Sequence, residues 1–213
     1  MKKNPDTCVL RLTGIASVVM DTPWMTESEI RFVECAFASV QPKRVLEWGA
    51  GASTFWFSTL LKQTIGQPEL WLSVEHDREW AERVSRRNEN NWLHIAYAAP
   101  NSEKPVAWNM ADYRDYLERP SEDGPYDLIL VDGRARSACL SVTRTLLRPG
   151  GLVLLHDANR PHYLPALLRW PQRVVHRDWR LWAGGVAALA QEPTALEQFR
   201  SALHTGGVKS AAT

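Results

Sequence analysis

The stretch Arg44-Val45-Leu46-Glu47-Trp48-Gly49-Ala50-Gly51-Ala52-Ser53-Thr54 passes from a short apolar run into two closely spaced glycines, and then into a segment, Ser53 to Leu61, with helical character. A run this short, bounded by glycine, reads as a strand ending in a tight turn. The same grammar repeats downstream. Glu69-Leu70-Trp71-Leu72-Ser73-Val74-Glu75 predicts a second strand, with a charged amphipathic helix over Arg78 to Asn90, and Leu93-His94-Ile95-Ala96-Tyr97 predicts a third. After a long connection, Tyr126-Asp127-Leu128-Ile129-Leu130-Val131-Asp132 is the most apolar strand. A helix over 137–147 then leads through Arg148-Pro149-Gly150-Gly151 to a fifth, Leu152-Val153-Leu154-Leu155-His156. Near-continuous apolar strands separated by helices mean a parallel sheet covered on both faces. The predicted fold is therefore α/β and doubly wound. Arg173-Val174-Val175-His176 and Ala183 to Ala190 add an antiparallel edge hairpin, for a mostly parallel sheet of seven strands.

Upstream, Thr26-Glu27-Ser28-Glu29 has the form of a capping box, and Ile30, Val33, Ala36 and Phe37 recur at helical spacing to about Ser39. The organisation expected is an N-terminal segment and helix over 1–41 packing on the core, one domain over 42–204, and a small polar disordered tail over 205–213. Lys and Arg number 25 against 24 Asp and Glu in 213 residues, so no global field attracts nucleic acid or an anionic membrane, and neither is expected as a partner. Cys8, Cys35 and Cys139 are scattered without metal or disulfide spacing. With no secretory or membrane-spanning run visible, the expected location is the cytoplasm. The ten tryptophans read as core and amphipathic-surface residues.

Ligands of open α/β sheets bind beyond the carboxyl ends of the strands, so chemistry-bearing residues are sought there. Gly49 and Gly51 after strand one leave room for a tight turn and for close approach of a ligand, with helix amides beginning near Ser53. Glu75 ends strand two, where a carboxylate can accept from both hydroxyls of a ribose, although Glu75-His76-Asp77 also reads as a helix cap. Taken together the two features point to an adenosine-containing cofactor.

These segments resemble the class I S-adenosylmethionine-dependent methyltransferases. Val45 to Thr54 is similar to their first motif, and Val74-Glu75-His76-Asp77 to the second. Tyr126 to Arg134 is similar to the fourth, and Leu147-Arg148-Pro149-Gly150-Gly151-Leu152-Val153 to the sixth. The resemblance covers most of Pro42 to Asp157 and implies a Rossmann-like fold with S-adenosylmethionine as cofactor. It implies Glu47 near the methionine ammonium, Gly49 and Gly51 facing the cofactor and Glu75 on the ribose; Ser53, Thr54 and His76 complete the candidate cofactor set. The β-branched Thr54 in place of a third small residue speaks against a nicotinamide dinucleotide. Many family members carry an acid after strand three for the adenine amine, where this chain offers Asn101.

At the reacting end Asp132 closes strand four, with Arg134 and Arg136 behind it, and His156 and Asp157 close strand five. Methyl transfer from sulfonium to oxygen or nitrogen is an in-line displacement, so the protein's tasks are to position and deprotonate the acceptor. Asp132, His156 and Asp157 are the catalytic candidates, and Arg134 and Arg136 the candidates for an anionic substrate group. Asp132 also reads as a helix cap, and His156 as a buried hydrogen-bonded histidine at a strand end. In metal-dependent relatives Asp132 and Asp157 would be magnesium ligands, but Ala158 stands where those enzymes have asparagine, so no metal is expected. The leading expectation is O-methylation of a small molecule or sugar residue. A non-catalytic adenosine-nucleoside-binding or partner-binding module and a nicotinamide oxidoreductase are the alternatives.

Overall fold

The computed structural model describes residues 22–106, 108–180 and 182–206. The elements in chain order are α1 (Glu27–Val40), β1 (Arg44–Trp48), α2 (Ala52–Thr64), β2 (Leu70–Glu75), α3 (Arg78–Ser85), β3 (Leu93–Tyr97), α4 (Arg114–Glu118), β4 (Tyr126–Val131), α5 (Arg136–Leu146), β5 (Leu147–His156), α6 (Leu164–Leu168), β6 (Gln172–His176), β7 (Val186–Ala190) and α7 (Pro193–Thr205). The seven strands run in the order β3-β2-β1-β4-β5-β7-β6. β1 to β5 are parallel, while β7 is antiparallel to both β5 and β6. The expected α/β, doubly wound sheet with an antiparallel hairpin at its edge is what the chain forms.

Strand periodicity splits the core into two layers. Leu46, Trp48, Ile129, Val131, Val153 and Leu155 face α4, α5 and α6, where Tyr116, Leu140 and Trp170 are fully or almost fully enclosed. Val45, Trp71, Leu128, Leu130, Leu152 and Leu154 face α1, α2 and α7, and Phe32, Phe37, Phe57 and Phe199 fill that side. Phe32 meets Phe199 edge-on, with ring centroids 4.9 Å apart, so α1 and α7 cover the sheet together.

The differences from the sequence reading have local causes. α7 went unforeseen, although Pro193 at its first position and the buried set Ala195, Leu196, Phe199 and Leu203 mark it. α3 stops at Ser85 because Asn88 turns its side chain onto the Leu93 carbonyl and the Asn90 amide, competing with further helix. The long connection before β4 holds α4 between two 3-10 turns. The edge hairpin closes through 177–185, longer than foreseen, with Gly184 and Gly185 at positive φ. Cys35 and Cys139 are free and buried. Trp48, Trp71 and Trp170 are core, whereas Trp24, Trp108, Trp179 and Trp182 are exposed. Cys8 and the expected disordered stretch beyond Gly206 lie outside the described residues. No helix among those described is long and apolar enough to cross a membrane.

Candidate active site

A cleft of about 740 Å³ opens at the carboxyl ends of β1, β2 and β4, where the strand order reverses. Its size is that of a site for a drug-sized ligand. The turn after β1 forms its floor. Gly49 has φ +96, and a Cβ there would fall 2.6 Å from Gly133 Cα, so glycine is required by the contact with the turn after β4. Gly133 is equally constrained, since a side chain on it would run into the Tyr116 hydroxyl and the backbone of the first turn. Gly49 N donates to Val74 O at 2.9 Å, tying the first turn to β2, and Asp132 N donates to Trp48 O at 2.9 Å, tying the turn after β4 to the end of β1. Gly51 is different: its backbone is extended and its amide donates to Thr54 Oγ1 at 2.9 Å.

Two carboxylates organise this half of the cleft. Glu75 lines it while accepting from the amides of Ala50 (3.1 Å), His76 (2.8 Å) and Asp77 (2.9 Å), which fixes the acid at the end of β2. Its neighbour His76 lies beside Tyr113 and Tyr116. Glu47 stands beneath the turn, fully enclosed, and accepts from Ser53 (2.6 Å), Thr54 (2.7 Å), Ser73 (2.6 Å) and Trp71 Nε1 (3.2 Å). Burial pushes its pKa up to about 6 against the pull of those four donors. Thus Glu47 and Thr54 support the turn from below, while Gly49, Gly51, Ser53, Glu75 and His76 line the cleft. Trp80, Arg83, Val84 and Arg87 also line it, and sequence reading missed them. Their i, i+3, i+4, i+7 spacing over α3 and the turn that follows it was the available signal. Trp80 Nε1 donates to Ala50 O at 2.6 Å. Asn101 is spent locally, its side chain accepting from Asp115 N at 3.0 Å.

The reacting end is more closed. Asp132 lines the cleft, and its Oδ1 lies 2.8 Å from His156 Nδ1 and 3.0 Å from Arg136. His156 is 7% exposed and stands behind Asp132, outside the cleft lining. Burial favours its neutral form, but the hydrogen bond and charge of Asp132, with Asp157 beyond, outweigh it and raise the pKa. Arg136 donates to the carbonyls of Gly133 (2.9 Å), His156 (2.7 Å) and Asp132 (2.9 Å) and to Asp157 Oδ2 (3.1 Å). Arg136, which also lines the cleft, is thus a clamp across two strand ends, with its donors shared among the protein's own carbonyls and carboxylates. Asp157, at φ +60, takes Gly184 N on Oδ1 at 2.7 Å and Arg136 and Arg160 on Oδ2. Burial would raise its pKa, but the Gly184 amide and the surrounding cations hold it low. Arg134 is exposed on the cleft wall.

Between Asp132 and Asp157, where magnesium would have to bridge, stands the Arg136 guanidinium, and no group of three or more metal-type ligands occurs among the described residues. Two carboxylates already neutralised by one arginine do not fit an octahedral oxygen site. S-adenosylmethionine fits better. Its ribose diol, cationic centres and carboxylate have counterparts in Glu75, Asp132 and the first-turn amides of α2.

Comparison with known proteins agrees with this geometry. Residues 46–158, just over half of the chain, match the profile of a family described as a methyltransferase domain. Among solved structures, a candidate O-methyltransferase from Klebsiella pneumoniae aligns with a TM-score of 0.56 at 19% identity, over 79% of this chain and 82% of the other. A methyltransferase-like protein from Silicibacter pomeroyi gives 0.52 at 20%, over 84% and 95%. A methyltransferase from Geobacter sulfurreducens gives 0.50 at 14%, over 76% of each chain. At such identities the structures speak for the fold alone. A search of curated proteins returned no match. The matched residues run from β1 through the end of β5 and contain the glycine turn, Glu75 and Asp132, and on that ground the chain belongs to the methyltransferase domain family, as an S-adenosylmethionine-dependent enzyme of class I.

Proposed function

We propose that the enzyme methylates an oxygen of a small molecule or sugar residue, with Asp132 as the carboxylate that meets the acceptor. The observation that carries this reading is that Asp132, alone of the three acid–base candidates, lines the cleft. Bound S-adenosylmethionine supplies an electrophilic methyl group on a sulfonium. The rest is the work of this chain. Glu75, already oriented by three backbone amides, takes the ribose hydroxyls. The backbone of Gly49 and Gly51 and the Ser53 side of the turn form the floor, and Glu47 with Thr54 keeps that floor rigid.

Asp132 accepts the acceptor's hydroxyl proton or orients the hydroxyl by hydrogen bonding, and His156 fixes the carboxylate from behind. Arg136 and Asp157 hold the ends of β4 and β5 together, which leaves Arg134 to meet an anionic group on the acceptor. The cleft is open to a small ligand, and the net charge of +1 does not suit a polyanion. Calorimetric titration with S-adenosylhomocysteine and NAD tests the cofactor assignment, with NAD expected to bind more weakly. Transfer of labelled methyl groups to matched panels of hydroxylated and amino compounds tests the acceptor. Labelling confined to the amines would overturn the oxygen reading.

A further inference from the structure

Glu29 is the capping-box glutamate of α1. Its Oε2 accepts from the Thr26 amide at 2.6 Å and hydroxyl at 3.0 Å. A capping glutamate ordinarily sits at the surface, yet Glu29 is fully buried. Arg180, from the turn between β6 and β7, reaches the same Oε2 at 2.5 Å and donates in turn to Asp178 at 2.8 Å. The other oxygen, Oε1, has no hydrogen-bond partner among the described residues. It lies 3.8 Å from His156 Nε2, which has none either.

That pairing constrains the histidine. Asp132 Oδ1 at 2.8 Å from Nδ1 calls for a proton on Nδ1. If the ring were neutral, Nε2 would then turn a lone pair towards Glu29 Oε1 and towards Asp157 Oδ1 at 4.0 Å, three acceptors facing one another among buried side chains. A proton on Nε2 converts that repulsion into attraction. Every charged group around the ring enters this balance. Asp132, Asp157, Glu29 and, across a cavity of about 10 Å³, Glu47 favour the cation. Arg136 on the His156 carbonyl and Arg180 beyond Glu29 oppose it. Asp157 Oδ1 is already engaged by Gly184, so Glu29 offers the uncommitted oxygen.

We propose that Glu29 is a positioning residue whose Oε1 holds a proton on His156 Nε2, so that the ring donates through Nδ1 and fixes the Asp132 carboxylate facing the cleft. Its part in catalysis rests on the reading of Asp132 given above; the contact itself does not. Glu29 and Arg180 both lie outside residues 46–158, so the site is completed by α1 and by the edge hairpin.

The test is imidazole ¹⁵N NMR of histidine-labelled protein, with the His156 signals assigned by their loss in His156→Gln. At pH 7.5 both His156 nitrogens are expected at protonated shifts. Glu29→Gln keeps the capping box, since glutamine also serves there. It should lower the His156 midpoint at least tenfold in proton concentration. Arg180→Met, which removes the cation beside Glu29, should raise it. Thr26→Ala, which takes a hydroxyl from Glu29 Oε2 but leaves its charge and Oε1 in place, should lower the melting temperature and move the His156 midpoint far less than Glu29→Gln does. An unprotonated Nε2 in the wild type, or unchanged His156 midpoints in both Glu29→Gln and Arg180→Met, would overturn the proposal. Normal methyl transfer by Asp132→Asn alongside the expected NMR shifts would instead remove Asp132 as the reacting carboxylate and leave the Glu29 contact standing.

Discussion

The ends of β1 and β2 and the ends of β4 and β5 treat their acids in opposite ways. On the first side Glu75 is held by three backbone amides, with the His76 ring nitrogen 2.5 Å away and no arginine or lysine among the described residues paired with it. On the second, Asp132 and Asp157 share one guanidinium, and His156 closes the pair. A carboxylate fixed by amides stays available to a ligand. One fixed by arginine is largely neutralised and serves the scaffold first. The cofactor half is thus built as an open receptor. The reacting half is a braced frame from which Asp132 and Arg136 reach the cleft while His156 and Asp157 stand behind.

Removing the brace should give the largest effect. In Arg136→Met, the enclosed Asp157 and the partly enclosed Asp132 lose their shared cation, and removing one partner of a buried ion pair costs about 3–5 kcal/mol. Urea denaturation would read this loss. A cost under about 1 kcal/mol would show that the frame is held by something other than charge.

Asp132→Asn comes next and sharpens the contrast within the frame. The expected outcome is single-turnover methyl transfer slowed about a hundredfold or more, the usual worth of a positioned acid–base group, with nearly unchanged affinity for S-adenosylhomocysteine. His156→Gln should slow transfer less, because His156 acts through Asp132. The reverse order of severity would make the histidine the group that meets the acceptor.

On the open side, Glu75→Gln should weaken S-adenosylhomocysteine binding by about 1.5–3 kcal/mol, the range for hydrogen bonds to a charged group, with a melt run alongside to read the cost of the one backbone bond it gives up. The glutamine carbonyl can keep the His76 and Asp77 amides, whereas its amino group faces the Ala50 amide and loses that bond. Calorimetric titration decides it, and unaltered affinity would remove Glu75 from the ribose site.

The sheet was legible because buried parallel strands announce themselves as apolar runs, and the glycine turn and Glu75 because their positions follow from where the strands end. What escaped were contacts that depend on which elements meet. Gly133 reads as part of an ordinary turn until Tyr116 and the Gly49 turn are seen against it. Arg136 reads as an anion holder until its donors are found on three carbonyls and two carboxylates of the neighbouring strand ends. Glu29 reads as a cap, correctly, and nothing within its own helix says that 151 residues later an arginine will reach it. For Glu47 the signal was present. Strand alternation puts it on the same face as Val45, beneath the turn and against α2, where its partners Ser53 and Thr54 begin that helix.

Glu47 also offers the subtlest way to separate the two kinds of carboxylate. It is the one acid at the site held by neutral donors and wholly removed from water, and burial raises its pKa from an ordinary 4.5 to about 6. Between those values the folded chain binds more protons than the unfolded one. Stability is then fully expressed below about pH 4.5 and declines as pH rises through 6. The decline attributable to this residue is about 2 kcal/mol. Glu47→Gln cannot titrate. It should begin less stable than the wild type at pH 4.5, since an amide satisfies the surrounding hydroxyls and indole less fully, and the gap should narrow by pH 7.5. Paired urea denaturations at the two pH values measure the narrowing directly. Asp157, whose pKa is held low by the Gly184 amide and the surrounding cations, behaves with the opposite sign: its stabilisation is present above the ordinary carboxylate range and is lost on acidification. A constant gap for Glu47→Gln would mean that its four donors cancel the cost of burial, and a gap that widens by pH 7.5 would place this buried acid with Asp157 in resisting protonation.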